Sequence, residues 1–201
     1  STQTVDSSIK AVSDYHYNYR ANVHRGDFKT SHIASDLYDE AREEVAKLLN
    51  CDPFEIAFTA GTTESLNMIA EYYADDDRKV IMTHLEHHSN SLPWMKQGRT
   101  VANGGLVVCK ATDTGDVSMQ DWEEVCTLNP GSIVTFLTQS NLTGHMLKWQ
   151  QMVHIANEIN FIPSNMSSSL SSHGLHLDCV IDSNALIILK LQIILTQQFC
   201  L

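Results

Sequence analysis

The sequence predicts an α/β protein built on a mostly parallel β-sheet with helices on both faces. Short runs rich in apolar and β-branched residues alternate with longer segments of helical periodicity from about residue 55 to residue 160. Strict alternation of strand and helix requires crossover connections, which make successive strands parallel and cover both faces of the sheet. The composition agrees, because 43% hydrophobic and 18% charged residues over 201 positions are typical of a globular domain with a core.

Two helices are predicted before the alternating region. The first covers residues 6 to 19, and residues 20 to 30, which have no clear period, form a loop. Its apolar side carries Ile9, Val12 and Tyr19. The second helix covers residues 31 to 49, where apolar residues recur at helical spacing. These residues are Ile33, Leu37, Ala41, Val45, Leu48 and Leu49.

Four strand and helix pairs follow. The predicted strands cover residues 55 to 59, 79 to 83, 106 to 110 and 132 to 138. The predicted helices cover residues 62 to 73, 89 to 102, 116 to 127 and 147 to 160. Ser118 is the candidate N-cap of the third of these helices, because an acidic residue, Asp121, stands three positions later.

The composition changes after Pro163. Residues 165 to 172 are Ser-rich and are predicted to be a flexible loop, while residues 177 to 182 could form one more strand. Residues 185 to 201 are rich in Ile, Leu and Gln and show no clear partner pattern. We therefore expect a partial domain over residues 1 to 162 and a divergent tail over residues 163 to 201.

Charge and cysteine usage exclude several classes of protein. A formal net charge of -11 argues against nucleic-acid binding, because phosphates would be repelled. The odd number of cysteines and the absence of a CxxC pair fit a reducing compartment such as the cytoplasm. No signal peptide or membrane span is predicted. The ten histidines lack the spacing of known zinc motifs, so no metal site is predicted.

The clearest chemical motif is the run TAGTTE that begins at Thr59, between a predicted strand and a predicted helix. A helix N-terminus presents free N–H groups and a positive dipole end, and the hydroxyls of Thr62 and Thr63 add donors, which together suit a phosphate group. Gly61 would allow a ligand to approach the backbone closely. An ordinary threonine N-cap with glycine in a tight turn explains the same letters.

Two further motifs follow predicted strands, where ligands bind in open α/β sheets. The first is EHHSN from Glu86, in which a histidine could stack on a flat cofactor or move protons. The second is SNLTG from Ser140, in which Asn141 could hydrogen-bond a ligand. A pair of surface histidines and an ordinary turn are the alternative interpretations.

The fourth motif is NVHRG from Asn22, in the loop between the first two predicted helices. Arg25 could bind a carboxylate through two parallel hydrogen bonds, whereas the alternative is a solvated loop with a basic pair. The cysteines show no activating context, and we interpret them as small core or surface residues. They are Cys51, Cys109, Cys126, Cys179 and Cys200.

These motifs occur in an order and at distances that resemble the group II cysteine desulfurases and selenocysteine lyases, which are class V aminotransferase-like enzymes. The matching runs are YNYRANVHRG, FTAGTTESLNMIA, THLEHHSNSLPW and LTQSNLTG, and the resemblance covers roughly residues 1 to 160. Two positions differ from the usual family pattern. Ala60 stands where the family usually has arginine, and Gln139 where a histidine is common.

The resemblance implies the front part of a large domain of the class V fold and a pyridoxal 5'-phosphate (PLP) cofactor. By the same resemblance, Thr62 and Thr63 hold the phosphate and His87 stacks on the pyridine ring with a role in proton transfer. Asn141 contacts the cofactor, and Asp182 pairs with the pyridinium nitrogen. The loop residues His24 and Arg25 are then the candidates for binding an amino-acid substrate, cysteine or selenocysteine.

The chain departs from the family in its reactive groups. Lys190 is the only lysine after Lys148 and lacks the family's Ser-Gly-His-Lys context, and Cys200 is a tail residue without the context of the catalytic cysteine. We therefore expect a truncated or degenerate desulfurase that is inactive alone, because covalent catalysis would lack its nucleophile. The alternatives are a non-catalytic PLP-binding or partner homologue, and another class V enzyme such as an aminotransferase, epimerase or kynureninase-like lyase.

The resemblance also implies partners. Intact relatives serve iron–sulfur cluster assembly or selenium recycling with a sulfur-acceptor protein, and they are dimeric across the active site. A chain of this extent would leave an open sheet edge and an apolar face, so we expect homo-oligomerisation.

Overall fold

The computed structural model describes residues 3–160 and the later strand segments 180–182, 186–189 and 192–195. The helices are α1 (Asp6–Asp14), α2 (Lys29–Leu49), α3 (Thr62–Tyr72), α4 (His88–Lys96), α5 (Met119–Leu128) and α6 (Trp149–Asn160). The strands are β1 (Ile56–Phe58), β2 (Val80–Thr83), β3 (Leu106–Cys109), β4 (Ile133–Leu137), β5 (Val180–Asp182), β6 (Leu186–Leu189) and β7 (Gln192–Leu195). The predicted alternation of strand and helix is confirmed from β1 to α6.

The strands form two sheets. Four strands lie parallel in the order β3-β2-β4-β5. The other three have the order β1-β7-β6, in which β1 and β7 are parallel and β6 and β7 are antiparallel. Strands β5 and β6 lie in contact, so the two sheets adjoin. The prediction of a mostly parallel sheet is confirmed.

Strand β2 shows why helices cover both faces of the larger sheet. Successive side chains of a strand point to opposite faces, and all four residues of β2 are buried. Val80 and Met82 pack in a cluster with Trp94 and residues of α3. Ile81, between them, packs in a second cluster with Trp122 of α5 and residues of α6. A strand that is apolar at every position is therefore buried on both sides, as expected for a parallel sheet.

Helix α4 is shorter than the predicted span of residues 89 to 102. It ends at Lys96, and Gly98 adopts a φ of +80°, which continues no helix. The next residue, Arg99, turns into the protein and donates from Nη2 to the carbonyl oxygen of Tyr73 over 2.6 Å. The glycine thus marks the end of the helix, and the buried guanidinium fixes the residue that follows it.

Helix α1 has the predicted periodicity but is not buried. A π-helical turn, Tyr15–Tyr19, continues it. The side chains of Ile9 and Val12 are 56% and 42% exposed, and α1 has no buried residue. Its apolar stripe is thus left uncovered by the part of the chain that the structure describes.

The prediction for the segment after residue 163 was incomplete. The possible strand at residues 177 to 182 corresponds to β5, but residues 185 to 201 contain two further strands, β6 and β7. Their continuous Ile and Leu runs do not alternate, and their partner β1 lies far earlier in the sequence, so periodicity alone could not assign them. The Ser-rich segment 165 to 172 lies outside the described residues. No helix in the described ranges has the length and apolar character needed to cross a bilayer.

Candidate functional site

The carboxyl ends of β2 and β4 form a topological switch point of the sheet, and we call this region the crevice. The chain leaves β2 to form β3 on one side and returns to form β4 on the other, so the order β3-β2-β4-β5 reverses direction between β2 and β4. Ligands of open α/β sheets bind outside the strand ends at such a switch point. The β2–β4 ladder stops at Ile81 and Val134, whereas the β2–β3 ladder continues to Thr83 and Cys109. The two central strands therefore part where the predicted motifs begin.

Glu86 fills the base of this opening. Its Oε1 accepts hydrogen bonds from the Thr83 hydroxyl at 2.5 Å and from the backbone N–H of Leu137 at 3.2 Å. Its Oε2 accepts from Nδ2 of Asn90 at 2.7 Å, and the Asn90 Oδ1 accepts from the buried hydroxyl of Thr135 at 2.9 Å. One carboxylate thus joins the end of β2, the first turn of α4 and the end of β4.

The Glu86 carboxyl is enclosed although part of the residue reaches the surface. Desolvation raises its pKa to about 7, because burial penalises the charged form. The hydrogen bonds from Thr83, Asn90 and Leu137 favour the anion and oppose that rise without cancelling it. A carboxyl that titrates near neutral pH therefore lies beneath the crevice, a combination frequent at functional sites.

His87 stands at the N-terminus of α4 as its N-cap. Its Nδ1 accepts from the backbone N–H of Ser89 at 3.1 Å and lies 2.8 Å from the Ser89 hydroxyl. Because Nδ1 accepts, a neutral His87 carries its proton on Nε2. The ring is exposed, and the His88 ring lies 6.3 Å away. His87 is thus oriented by its own helix with one face available to a planar ligand.

Asn141 lies in the exposed turn that follows β4. The Ser140 hydroxyl accepts from the N–H groups of Leu142 and Thr143, both at 3.3 Å, and the N–H of Gly144 donates to the Ser140 carbonyl at 2.8 Å. Gly144 has a φ of +72°, a conformation that favours glycine. The turn is held in place by its own hydrogen bonds. Asn141 is exposed in it, after the carboxyl end of β4.

The turn between β1 and α3 has open donors. Gly61 is the N-cap of α3, with an extended backbone and no side-chain cap. The first N–H groups of an α-helix have no intrahelical acceptor. The Glu64 carboxylate accepts from the Ala60 N–H at 2.5 Å, which fixes the turn without using those donors. Thr62 is therefore not the N-cap, and Gly61 has an extended backbone without a positive φ.

The space in front of Gly61 is open. A Cβ atom added there would meet no atom within 4 Å, so the packing described here does not require glycine. An external group that lies against the backbone would require it. Free helix N–H groups, adjacent threonine hydroxyls and open space fit a phosphate, which is the group that PLP would place there.

The loop with His24 and Arg25 is linked to the same end of β1. The backbone N–H of His24 donates to the Ser35 hydroxyl at 2.9 Å, and its Nε2 lies 3.3 Å from Oδ1 of Asp39. The ring centroid of Tyr38 lies 6.1 Å from that of His24 and 5.4 Å from that of Phe58, the last residue of β1. His24 is thus paired within its own loop and helix, whereas Arg25 is exposed.

The register of β5 places Asp182 beside the crevice. Asp182 pairs with Leu137, whose N–H donates to Glu86, so its backbone stands at the same sheet edge as the motif after β2. The structure thus brings the His87 segment, the Asn141 turn and the Asp182 position to one edge. The Thr62 turn begins a helix that packs on α4, but no hydrogen bond joins it to His87 or Asn141 in the described residues. Lys190 and Cys200 lie outside them.

Sequence reasoning missed the three residues at the base of the site. Glu86 and Asn90 lie in the EHHSN motif, whose predicted role rests on its histidines, and Thr135 lies in a predicted strand without a functional role. A polar residue inside an apolar strand and a glutamate four positions before an asparagine at a helix start were the available signals.

The cysteines of the described ranges are poor nucleophiles. Burial raises the pKa of Cys109 to about 11 and that of Cys126 to about 12, and desolvation also raises that of Cys51. Cys179 and Cys200 lie outside the described residues. No group of three or more potential metal ligands is found in the ranges that the structure covers.

The parallel strands, the helices on both faces and the switch point between β2 and β4 define an α/β protein of the open-sheet class. A model of the aminotransferase class-V family matches residues 1–164, and the chain belongs to that family. Members of this family typically depend on pyridoxal phosphate.

Relatives of the chain include probable cysteine desulfurases. The chain is 40% identical over 121 residues to a probable cysteine desulfurase of Pyrococcus abyssi, covering 58% of this chain and 29% of the relative. It is 34% identical over 149 residues to one of Staphylococcus aureus, covering 71% and 35%. The structure of an apo cysteine desulfurase from Thermococcus onnurineus superposes with a TM-score of 0.71 at 28% identity, covering 90% of this chain and 42% of that one. The chain therefore spans well under half the length of these proteins.

Proposed function

We propose that this chain is the cofactor-holding part of a PLP-dependent cysteine desulfurase and that residues 1–201 alone bind PLP without covalent attachment. The observation that carries the proposal is the crevice between β2 and β4, with His87 on one side and the Asn141 turn on the other. The similarity to probable cysteine desulfurases supports the choice of substrate class.

Each residue has a role set by its chemistry. The N–H groups of Gly61, Thr62 and Thr63 and the two threonine hydroxyls would hold the phosphate at the positive end of α3. His87 would stack on the ring and present the proton on its Nε2 to the reacting side. Asp182, from the end of β5, would pair with the ring nitrogen. Asn141 would contact the edge of the cofactor ring.

Bound PLP supplies an electron sink for bonds broken at the substrate α-carbon. Arg25, exposed at the loop before α2, would bind the substrate carboxylate through a bidentate pair, while His24 holds the loop through Asp39. The chain gives no activated thiol among the residues described, so release of sulfur to an acceptor would need a group from elsewhere.

The test is a PLP titration of the purified chain followed by absorbance, with borohydride reduction and intact mass as a second readout. We expect a saturable new visible band and no mass increase after reduction. Gly61→Ala is the sharpest variant, because its backbone is extended and a new Cβ meets no protein atom, so the fold should be unaffected. The methyl group would occupy the phosphate space and weaken binding by about tenfold or more.

Gly105→Ala is not a suitable control, because its Cβ would lie 3.1 Å from the Arg99 backbone, whereas Gly61 has no such neighbour. Thr127→Ala, exposed at the end of α5 that leads into the amino end of β4, serves as the control. Equal PLP affinity in the wild type and Gly61→Ala would remove the proposed phosphate site. A mass increase fixed by reduction would instead identify a covalent lysine, with Lys190 the first candidate to map.

A second candidate is another class V reaction on the same scaffold. To test this, the chain is extended with the further segments of a relative and loaded with PLP. Sulfide release from cysteine would support the desulfurase assignment. Turnover of alanine or a kynurenine-type substrate without sulfide release would favour an aminotransferase or lyase.

Self-association is a further part of the proposal. The apolar stripe of α1, with Val5 and Ile9 63% and 56% exposed, supports a homo-oligomer. Light scattering with size-exclusion chromatography should give a mass above that of one chain, and a monodisperse monomer would contradict it.

A further inference from the structure

The buried polar chain Glu86–Asn90–Thr135 has no part in the roles given above. It connects three elements that meet beneath the crevice. Thr135 and Asn90 are 0% and 4% exposed, so their polar groups depend on one another for hydrogen bonds. Asn90 donates to Glu86 through Nδ2 and accepts from Thr135 through Oδ1, which uses both ends of its amide.

The hydrogen-bonded side chains Glu86, Asn90 and Thr135 hold the start of α4 to β4 at two points. Glu86 accepts the N–H of Leu137, and Asn90 accepts the hydroxyl of Thr135, two residues earlier in the same strand. The β2–β4 ladder has already ended at Ile81 and Val134, so the Leu137 N–H donates to Glu86 and not to a carbonyl of β2. The side chains replace the missing ladder and fix the first turn of α4, which carries His87, against the strand that leads to Asn141.

The direction of these hydrogen bonds depends on one proton. An ionised Glu86 is an acceptor only, so Asn90 must present its NH₂ group to it. A protonated Glu86 can donate to Asn90 Oδ1 if the amide turns over, and the Asn90 NH₂ group then faces Thr135. The Thr135 hydroxyl can both donate and accept, so it can accept a hydrogen bond from the reversed Asn90 amide.

We propose that Glu86 and Asn90 form a proton-sensitive clamp that positions His87 at the crevice, and that the Asn90 amide reverses when Glu86 changes its protonation state. Glu86 is here a positioning residue that acts through His87. The role in cofactor binding rests on the proposed function, whereas the clamp itself does not.

The groups that hydrogen-bond Glu86 directly are uncharged. The hydrogen-bond partners of Glu86 are a hydroxyl, an amide and a backbone N–H. The titratable residues on the adjoining segments are His84, His87 and His88 after β2, Cys109 and Lys110 at the end of β3, His145 after β4 and Asp182 at the end of β5. Enclosure of the carboxyl is the largest cause of its near-neutral titration.

The first test follows the side-chain amide signals of Asn90 by NMR in the ¹⁵N-labelled 201-residue chain across neutral pH. We expect these signals to shift with a midpoint near neutral pH in the wild type and not to titrate in Glu86→Gln, which has no proton to release. Glu71→Gln, an exposed glutamate on α3, is the matched control and should titrate like the wild type. Asn90 signals that stay constant in the wild type, or that titrate equally in Glu86→Gln, would overturn the clamp.

The second test concerns His87. Thr135→Val keeps the side-chain shape and removes the hydroxyl bonded to Asn90. We expect the Ser89 amide, which donates to His87 Nδ1, to shift in Thr135→Val, and PLP affinity to fall by about tenfold. The double variant with His87→Ala should bind PLP no more weakly than His87→Ala alone, because the clamp acts through His87.

Failure of the clamp and failure of the proposed PLP binding give different experimental results. Additive losses in the double variant, or an unchanged Ser89 amide in Thr135→Val, would refute the positioning role. If the wild type binds no PLP, the proposed function fails, while the Asn90 titration and the Ser89 amide still decide the clamp.

Discussion

Replacement of Glu86 by glutamine should change how the stability of the chain depends on pH. The pKa of Glu86 rises from 4.5 to about 7 on folding, because its carboxyl is desolvated beneath the crevice. Each pKa unit corresponds to about 1.4 kcal/mol, so ionising Glu86 in the folded chain costs about 3 kcal/mol. Glutamine has nearly the same shape, and a reversed Asn90 amide can satisfy it, so the variant avoids that cost.

The sign follows from proton binding. Between pH 4.5 and about 7 the folded state holds a proton on Glu86 that the unfolded state has released, so the wild type loses stability as the pH rises through this window. Below about pH 4.5 the carboxyl is protonated in both states, and above about pH 7 the loss is complete. The free energy of unfolding of Glu86→Gln, relative to the wild type, should increase by about 2–3 kcal/mol between about pH 5 and about pH 8.

Urea unfolding followed by tryptophan fluorescence is a suitable assay. Trp94 and Trp122 are both 0% exposed and lie in the two core clusters, so each face of the sheet has a reporter. Histidine titrations affect the wild type and the variant equally and cancel in the difference, and Glu71→Gln should reproduce the wild-type curve. If the difference between Glu86→Gln and the wild type were the same at every pH, the argument that burial governs this carboxyl would be wrong.

Three other predictions concern stability and can be measured in the same urea assay. Arg99→Ala should destabilise by about 2–4 kcal/mol, because the buried guanidinium bonds the carbonyls of Tyr73, Asp76 and Arg78, and the more exposed Arg78→Ala should cost less. Gly144→Ala should cost about 1 kcal/mol, since its φ is +72°, whereas Gly61→Ala should be near neutral; equal costs would contradict the backbone argument. Ser118→Ala should lower the free energy of unfolding by about 1 kcal/mol, because the Ser118 hydroxyl caps α5 by accepting a hydrogen bond from the Asp121 N–H. Thr127→Ala, at the exposed end of that helix, is the control.

The sequence allowed the elements from α2 to α6 to be placed within a few residues because their signals are local. Helical spacing in α2, the Ser118 cap and the apolar run of β2 each depend on neighbours a few positions away. The prediction of residues 89 to 102 did not use Gly98, the local signal that marks the early end of α4, whereas the contact of Arg99 with the Tyr73 carbonyl could not be foreseen.

The candidate site also combines features that local sequence predicts with features that only long-range contacts set. The residues around Gly61, His87 and Asn141 are enough to identify motifs at strand ends, because each motif follows an apolar strand. That the His87 segment and the Asn141 turn meet at one sheet edge depends on the strand order, in which β2 and β4 are neighbours and their ladder ends at Ile81 and Val134.

The sequence by itself thus determined the α/β class, the order of its elements and the membership of a PLP-dependent family, since all three follow from local patterns and long co-linear motifs. Only the tertiary structure decided that β6 and β7 join β1, and that Glu86 is enclosed with a pKa of about 7. Strand pairing and desolvation are set by groups distant in the sequence, so no local pattern can specify them.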